Sequence, residues 1–269
     1  MKLCVIGDSH VAMLMAALRD AGPGAPEVIW FAKPGLAEGE AALEGSRLCA
    51  RDPDLVTRLE SLGTPPEVDL DGVDAVVFVG GTVSAFGAVR LLQGHRVSGW
   101  PSARALIAAA DTPSAAPLKQ PLISERAYLA ALEGVIRESV THRLVTGLRE
   151  ASAVPVCVVP QPLPSEAILE TEKKYPVFKR VARHGDGPAV AASLIAAHER
   201  AFAGLSGVTV FRQPEESIAQ GFLTARAYTR DAVRLTAGAM PRDDVLHAGP
   251  ALGALYLARI RAAVETLEI

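Results

Sequence analysis

Five short β-branched runs, Leu3–Ile6, Val28–Phe31, Ala75–Val79, Val154–Val159 and Val208–Phe211, are separated by stretches rich in Ala, Leu, Glu and Arg. The runs are nearly continuously apolar, with Thr209 the one polar residue among them. Strands of that kind are buried on both faces, which is the condition of a parallel sheet covered by helices on each side. The intervening stretches supply the cover. His10–Ala21 reads as a first helix, ended by Gly22-Pro23-Gly24. Ser102–Ala110 is a short one. Ser124–Glu150 repeats apolar residues with a 3.6-residue period through Leu129, Leu132, Ile136, Val140, Leu144 and Leu148, and Ser124 stands where a cap belongs. Pro188–Leu205 and Pro250–Leu267 are two more. The pattern predicts an α/β protein with a parallel sheet of about five strands.

Two stretches depart from the alternation. Residues 33–72 carry Gly, Pro and charge with little periodicity, which predicts loops and short helices crossing the top of the sheet. Residues 160–186 follow a core strand directly, so a lid or substrate wall over the strand ends is expected there. With 269 residues, 49% of them hydrophobic, the chain has core enough for a single domain over 1–269. A net charge of −3 makes no electrostatic case for nucleic acid. Lys173-Lys174 and Lys179-Arg180 are short basic groups interrupted by apolar residues and read as a solvated face or loop. No apolar run reaches the roughly 18 residues of a membrane span. Cys4 and Cys157 lie inside apolar runs and read as small buried side chains. The three cysteines show no CxxC or Cys/His metal spacing, so no metal or other cofactor is expected. Cysteine usage and an N-terminus that opens on a strand, with no signal-peptide pattern, lead to the expectation of a cytoplasmic protein.

The residues that carry chemistry stand at the two ends. Gly7-Asp8-Ser9 follows the first strand and precedes the first helix. A serine there lies at a strand end, where open sheets collect ligands, beside backbone N–H groups able to stabilise an oxyanion. Asp244-Val245-Leu246-His247 precedes the last helix. A serine nucleophile needs a base, and the base needs an orienting acid. Each residue also has a plain structural reading. Gly-Asp-Ser is a common turn. Asp244 can cap a turn or helix, and Asp243 is a rival acid one residue further from His247. His10 either lines the pocket beside Ser9 or begins a helix at the surface. His95, His142, His184 and His198 lack paired acids at metal-ligand spacing and are assigned to surface or core. Gly80-Gly81 lacks the Lys-Ser/Thr that completes a phosphate-binding loop.

The Gly7-Asp8-Ser9 turn, with Asp244-x-x-His247 before the last helix, resembles the SGNH (GDSL-type) hydrolase superfamily. That resemblance implies a three-layer α/β/α, flavodoxin-like fold and cleavage of esters of lipids, acetylated sugars or small acyl groups. It implies Ser9 as nucleophile and, through its backbone N–H, as one oxyanion donor. His247 is then the base and Asp244 the acid that fixes its tautomer. Gly35 in Lys33-Pro34-Gly35 matches the glycine of the second block, and is equally a Pro-Gly turn. The third block departs from the family's Gly-x-Asn-Asp: it reads Gly80-Gly81-Thr82-Val83-Ser84, with Thr82 in the place of Asn. A threonine hydroxyl donates one hydrogen bond and rotates, and losing an oxyanion donor costs about 100- to 1,000-fold in rate. Thr82, Ser84 or the Gly80 and Gly81 N–H groups are left to fill that role. Asp8, His10, Gly81 and Ser84 are the expected substrate contacts around the site. The implied substrate is a small-molecule or glycan ester. Polar residues His10, Thr82, Ser84, Gln161, Ser165 and Arg183 lean it towards an acylated carbohydrate. Two other readings stay open: a non-catalytic sugar- or ligand-binding protein on the same fold, and an acyltransferase to sugar hydroxyls. Nothing in the sequence fixes the oligomeric state.

Overall fold

The computed structural model describes residues 1–110, 120–236, 240–241 and 243–267. Five strands, β1 (Lys2–Gly7), β2 (Glu27–Ala32), β3 (Ala75–Val79), β4 (Val156–Val159) and β5 (Val208–Val210), form one parallel sheet in the order β2-β1-β3-β4-β5. Each lies within or about one of the apolar runs. Gly7 pairs level with Ala32 on one side and Val79 on the other, and Val79 is level with Val159. The turns after β1, β2, β3 and β4 therefore leave the sheet at one edge.

Helices flank the sheet. They are α1 (Val11–Arg19), α2 (Pro53–Ser61), α3 (Ala85–Leu91), α4 (Pro101–Ala110), α5 (Glu125–Arg137), α6 (Val140–Ala151), α7 (Pro176–His184), α8 (Gly187–Phe202) and α9 (Pro250–Leu267). Successive strand side chains point to opposite faces, so β1 feeds two cores. Leu3 and Val5 join Val11 and Leu14 of α1 and Leu252, Tyr256 and Ile260 of α9. Cys4 and Ile6 join Leu132 of α5, Val145 of α6 and Leu194 of α8 on the other side.

Three sequence expectations need revising or refining. The single helix over 124–150 is two, α5 and α6. Ser139 separates them: its hydroxyl accepts from His142 N at 3.3 Å and donates to the Ile136 carbonyl at 2.6 Å. A serine side chain offers the backbone this alternative to a continuous helix, and the apolar period runs on through the break. Residues 33–72, expected as loops and short helices, also contain a three-stranded antiparallel sheet of Ala41–Glu44, Arg47–Ala50 and Glu67–Asp69. Its strands are too short to display a period of two, and Leu48 and Val68 anchor it to the larger core. Within 160–186, Ile168, Phe178 and Val181 are buried in that same core, so the segment is built into the body of the molecule. Cys4, Cys49 and Cys157 are free and buried, and burial pushes the Cys4 and Cys157 thiols up to about 12. No described helix is long and apolar enough to cross a membrane.

Candidate active site

The turn after β1 is laced to the turn after β3. Asp8 accepts hydrogen bonds from His10 N at 3.0 Å and from Gly81 N at 2.9 Å. Gly80 and Gly81 have φ of +68° and +63°. A Cβ on Gly80 would stand 2.5 Å from the Asp8 carboxylate, so this crossing requires glycine. Ser9, half-buried, follows Asp8 at the entry to α1.

The second half of the site closes locally. Asp244 Oδ2 accepts from His247 N at 3.0 Å, and Oδ1 lies 3.0 Å from His247 Nδ1. A carboxylate only accepts, so Nδ1 carries the proton and Nε2 is left as the acceptor. Nε2 lies 3.0 Å from Ser9 Oγ, which donates to it. Burial pushes the Asp244 carboxyl up, but the side-chain and backbone hydrogen bonds from His247 outweigh this and hold it below the usual range. Asp243 is exposed and pairs with Lys174 at 2.7 Å.

Packing of α1 on α9 joins the halves. Ser9 lies two residues before α1 and His247 three before α9. The helices approach so closely that a Cβ on Gly253 would lie 2.1 Å from the Met13 carbonyl oxygen. His10 is buried, and its ring stacks on His247 with centroids 5.1 Å apart and planes 28° from parallel. Burial lowers its pKa; Asp8 opposes that effect and His247 adds to it.

The backbone donors sort clearly. Gly80 N donates to Val159 O at 3.0 Å and Gly81 N to Asp8, so neither is free for a ligand. Among the described residues, no acceptor is paired with the N–H of Ser9, Gly35 or Thr82. Gly35 occupies the third position of the Lys33–Leu36 turn at φ +66°. Lys33 N ties that turn to the Gly7 carbonyl at 3.2 Å.

The Thr82 side chain is engaged elsewhere. His198 Nδ1 lies 2.8 Å from the Leu194 carbonyl and therefore carries its proton. Nε2 is then an acceptor, and the Thr82 hydroxyl donates to it at 3.1 Å. Burial holds the His198 pKa down to about 4, so this imidazole is neutral near pH 7. No pattern around His198 in the sequence signals this contact. Ser84 stands at the N-cap of α3 with no side-chain capping bond. Arg183 is exposed, and Ser165 is buried against Thr229 at 3.1 Å. Gln161 lines a cleft of about 460 Å³ with Leu163, Ile195, His198, Phe211 and Tyr256, and Ser9 and His247 are not in its wall. Among the described residues, no three His, Cys, Asp or Glu side chains are grouped to hold a metal ion.

No family model and no curated protein matches this chain. A hydroxyl, an imidazole and a carboxylate in hydrogen-bonded sequence form an arrangement in which the hydroxyl can lose its proton as it attacks an electrophilic carbon.

Proposed function

We propose that the chain is a serine ester hydrolase of the SGNH type, on a three-layer, flavodoxin-like α/β/α fold, acting in a reducing, cytoplasmic setting. The observation that carries this reading is the unbroken Ser9–His247–Asp244 hydrogen-bond chain between residues 238 apart in sequence. Ser9 Oγ attacks the ester carbonyl carbon as its proton passes to His247 Nε2. Asp244 keeps the Nδ1 proton in place and faces the imidazolium. The bond to the alcohol breaks, His247 returns the proton to the leaving oxygen, and an acyl-Ser9 remains. Water, deprotonated by His247, then releases the acid and restores Ser9. The free N–H groups of Ser9 and Gly35 receive the oxyanion. Thr82 adds its backbone N–H, because its hydroxyl donates its hydrogen bond to His198. The turn after β3, tied to the turn that carries Ser9 through Gly81 N and Asp8, presents the Ser84 hydroxyl with no capping bond, which favours a polar ester such as an O-acetylated carbohydrate over a long lipid.

The test is hydrolysis of p-nitrophenyl acetate by the wild type, Ser9→Ala and His247→Ala, with fluorophosphonate labelling followed by intact mass. Either substitution is expected to lower kcat by at least about a thousandfold, and the label should map to Ser9. Equal rates in all three folded proteins, with no label, would sink the hydrolase. That outcome would favour the ligand-binding reading, which draws on the same engagement of the Thr82 hydroxyl.

A further inference from the structure

We propose that His10 is a positioning residue that sets the plane of the His247 imidazole against Ser9 and Asp244 through their stacked rings. The inference rests on the serine-hydrolase reading for its consequence in rate, and on geometry for the contact itself. Two atoms of His247 are already directed: Nδ1 towards Asp244 and Nε2 towards Ser9. Two bonds along one line leave the ring free to rock about that line. A flat neighbour at 5.1 Å and 28° restrains this motion, within the range where aromatic rings attract.

His10 is itself held firmly. Its backbone N–H donates to Asp8, its carbonyl accepts from Met13 N at 3.3 Å in the first turn of α1, and its side chain is buried. Nδ1 is buried with no protein partner, so the ring makes no competing hydrogen bond through that atom. The charged and titratable groups facing it are Asp8, Asp244 and His247. Burial disfavours a proton on His10, which keeps its ring neutral beside His247 when the latter takes the serine proton. Two imidazolium rings stacked at this distance would repel and oppose the transfer.

Three proteins test this: wild type, His10→Ala and His10→Phe. Circular dichroism first establishes that each is folded. Two readouts follow: the downfield Nδ1–H signal of His247 by NMR, which reports its bond to Asp244, and the rate of Ser9 labelling by a fluorophosphonate between pH 5 and 9. His10→Ala is expected to broaden or remove the downfield His247 Nδ1–H signal of the bond to Asp244 and to slow labelling about tenfold, the effect of losing roughly one ring contact. His10→Phe restores a flat neighbour and is expected to recover most of that loss. An unchanged His247 Nδ1–H signal in His10→Ala would overturn the proposal, as would a His10→Phe protein that falls as far as His10→Ala. Failure of the wild type to label at Ser9 would instead remove the nucleophile. The His247 Nδ1–H signals would still decide the role of His10.

Discussion

At the scale of single residues, the site is a matter of which atoms hold protons. Asp244 accepts from both the backbone and the ring of His247, and this fixes the ring nitrogen that faces Ser9. Asp244→Asn removes the carboxylate that holds this tautomer. It is expected to lower kcat by about 10³- to 10⁴-fold with little change in KM, measured on p-nitrophenyl acetate. His198 carries a different prediction. Its ordinary pKa of 6.5 is held at about 4 by burial, so the folded protein binds this proton less readily than the unfolded chain. Its contribution to stability is complete above about pH 6.5 and is lost as the pH falls towards 4, by about 3 kcal/mol in all. Urea midpoints measured from pH 7 to pH 4 should fall across that window. His198→Gln keeps an acceptor for Thr82 without the titration, so its midpoints should fall less.

At the scale of elements, two helices decide whether the site exists. α1 starts just after Ser9 and α9 just after His247, and the absent side chain of Gly253 lets them meet. Gly253→Ala places a methyl group against the Met13 carbonyl, and the helices must separate. The expected cost is at least about 2 kcal/mol, seen as a Tm lower by about 4–8 °C. Ser9 labelling should slow as well, although Ser9, His247 and Asp244 are all unaltered. A protein with wild-type Tm and labelling would show that the α1–α9 contact does not set the site. The division of the expected 124–150 helix belongs to the same scale. Ile136 and Val140 keep the apolar period across the break, so only the capping bonds of Ser139 reveal it.

At the scale of the whole molecule, one sheet feeds two cores. Leu3 and Val5 are buried on one face and Cys4 and Ile6 on the other, so neither core can be lost without the strands of both. The two tryptophans report on opposite faces: Trp30 packs against the α1–α9 core and Trp100 lies in the larger one. Trp30→Phe and Trp100→Phe each leave a single reporter. Their fluorescence denaturation curves, each normalised to the circular dichroism of the same variant, should coincide. Separate fluorescence and dichroism midpoints in either variant would mean that the faces unfold independently. The sequence by itself determined what depends on neighbours along the chain. The apolar runs mark the strands, Gly7-Asp8-Ser9 marks a strand–turn–helix junction, and Asp244 and His247 close their own turn at a spacing of three. Tertiary structure decided the rest. Ser9 reaches His247 across 238 positions, and Thr82 donates a hydrogen bond to His198 across 116. Asp243, beside Asp244 in sequence, turns to Lys174. His10, expected either beside Ser9 or at the surface, is buried with its ring stacked on His247. The physical reason is range: periodicity and capping act over a few residues, whereas these contacts depend on the order of strands in the sheet and on which helix packs where.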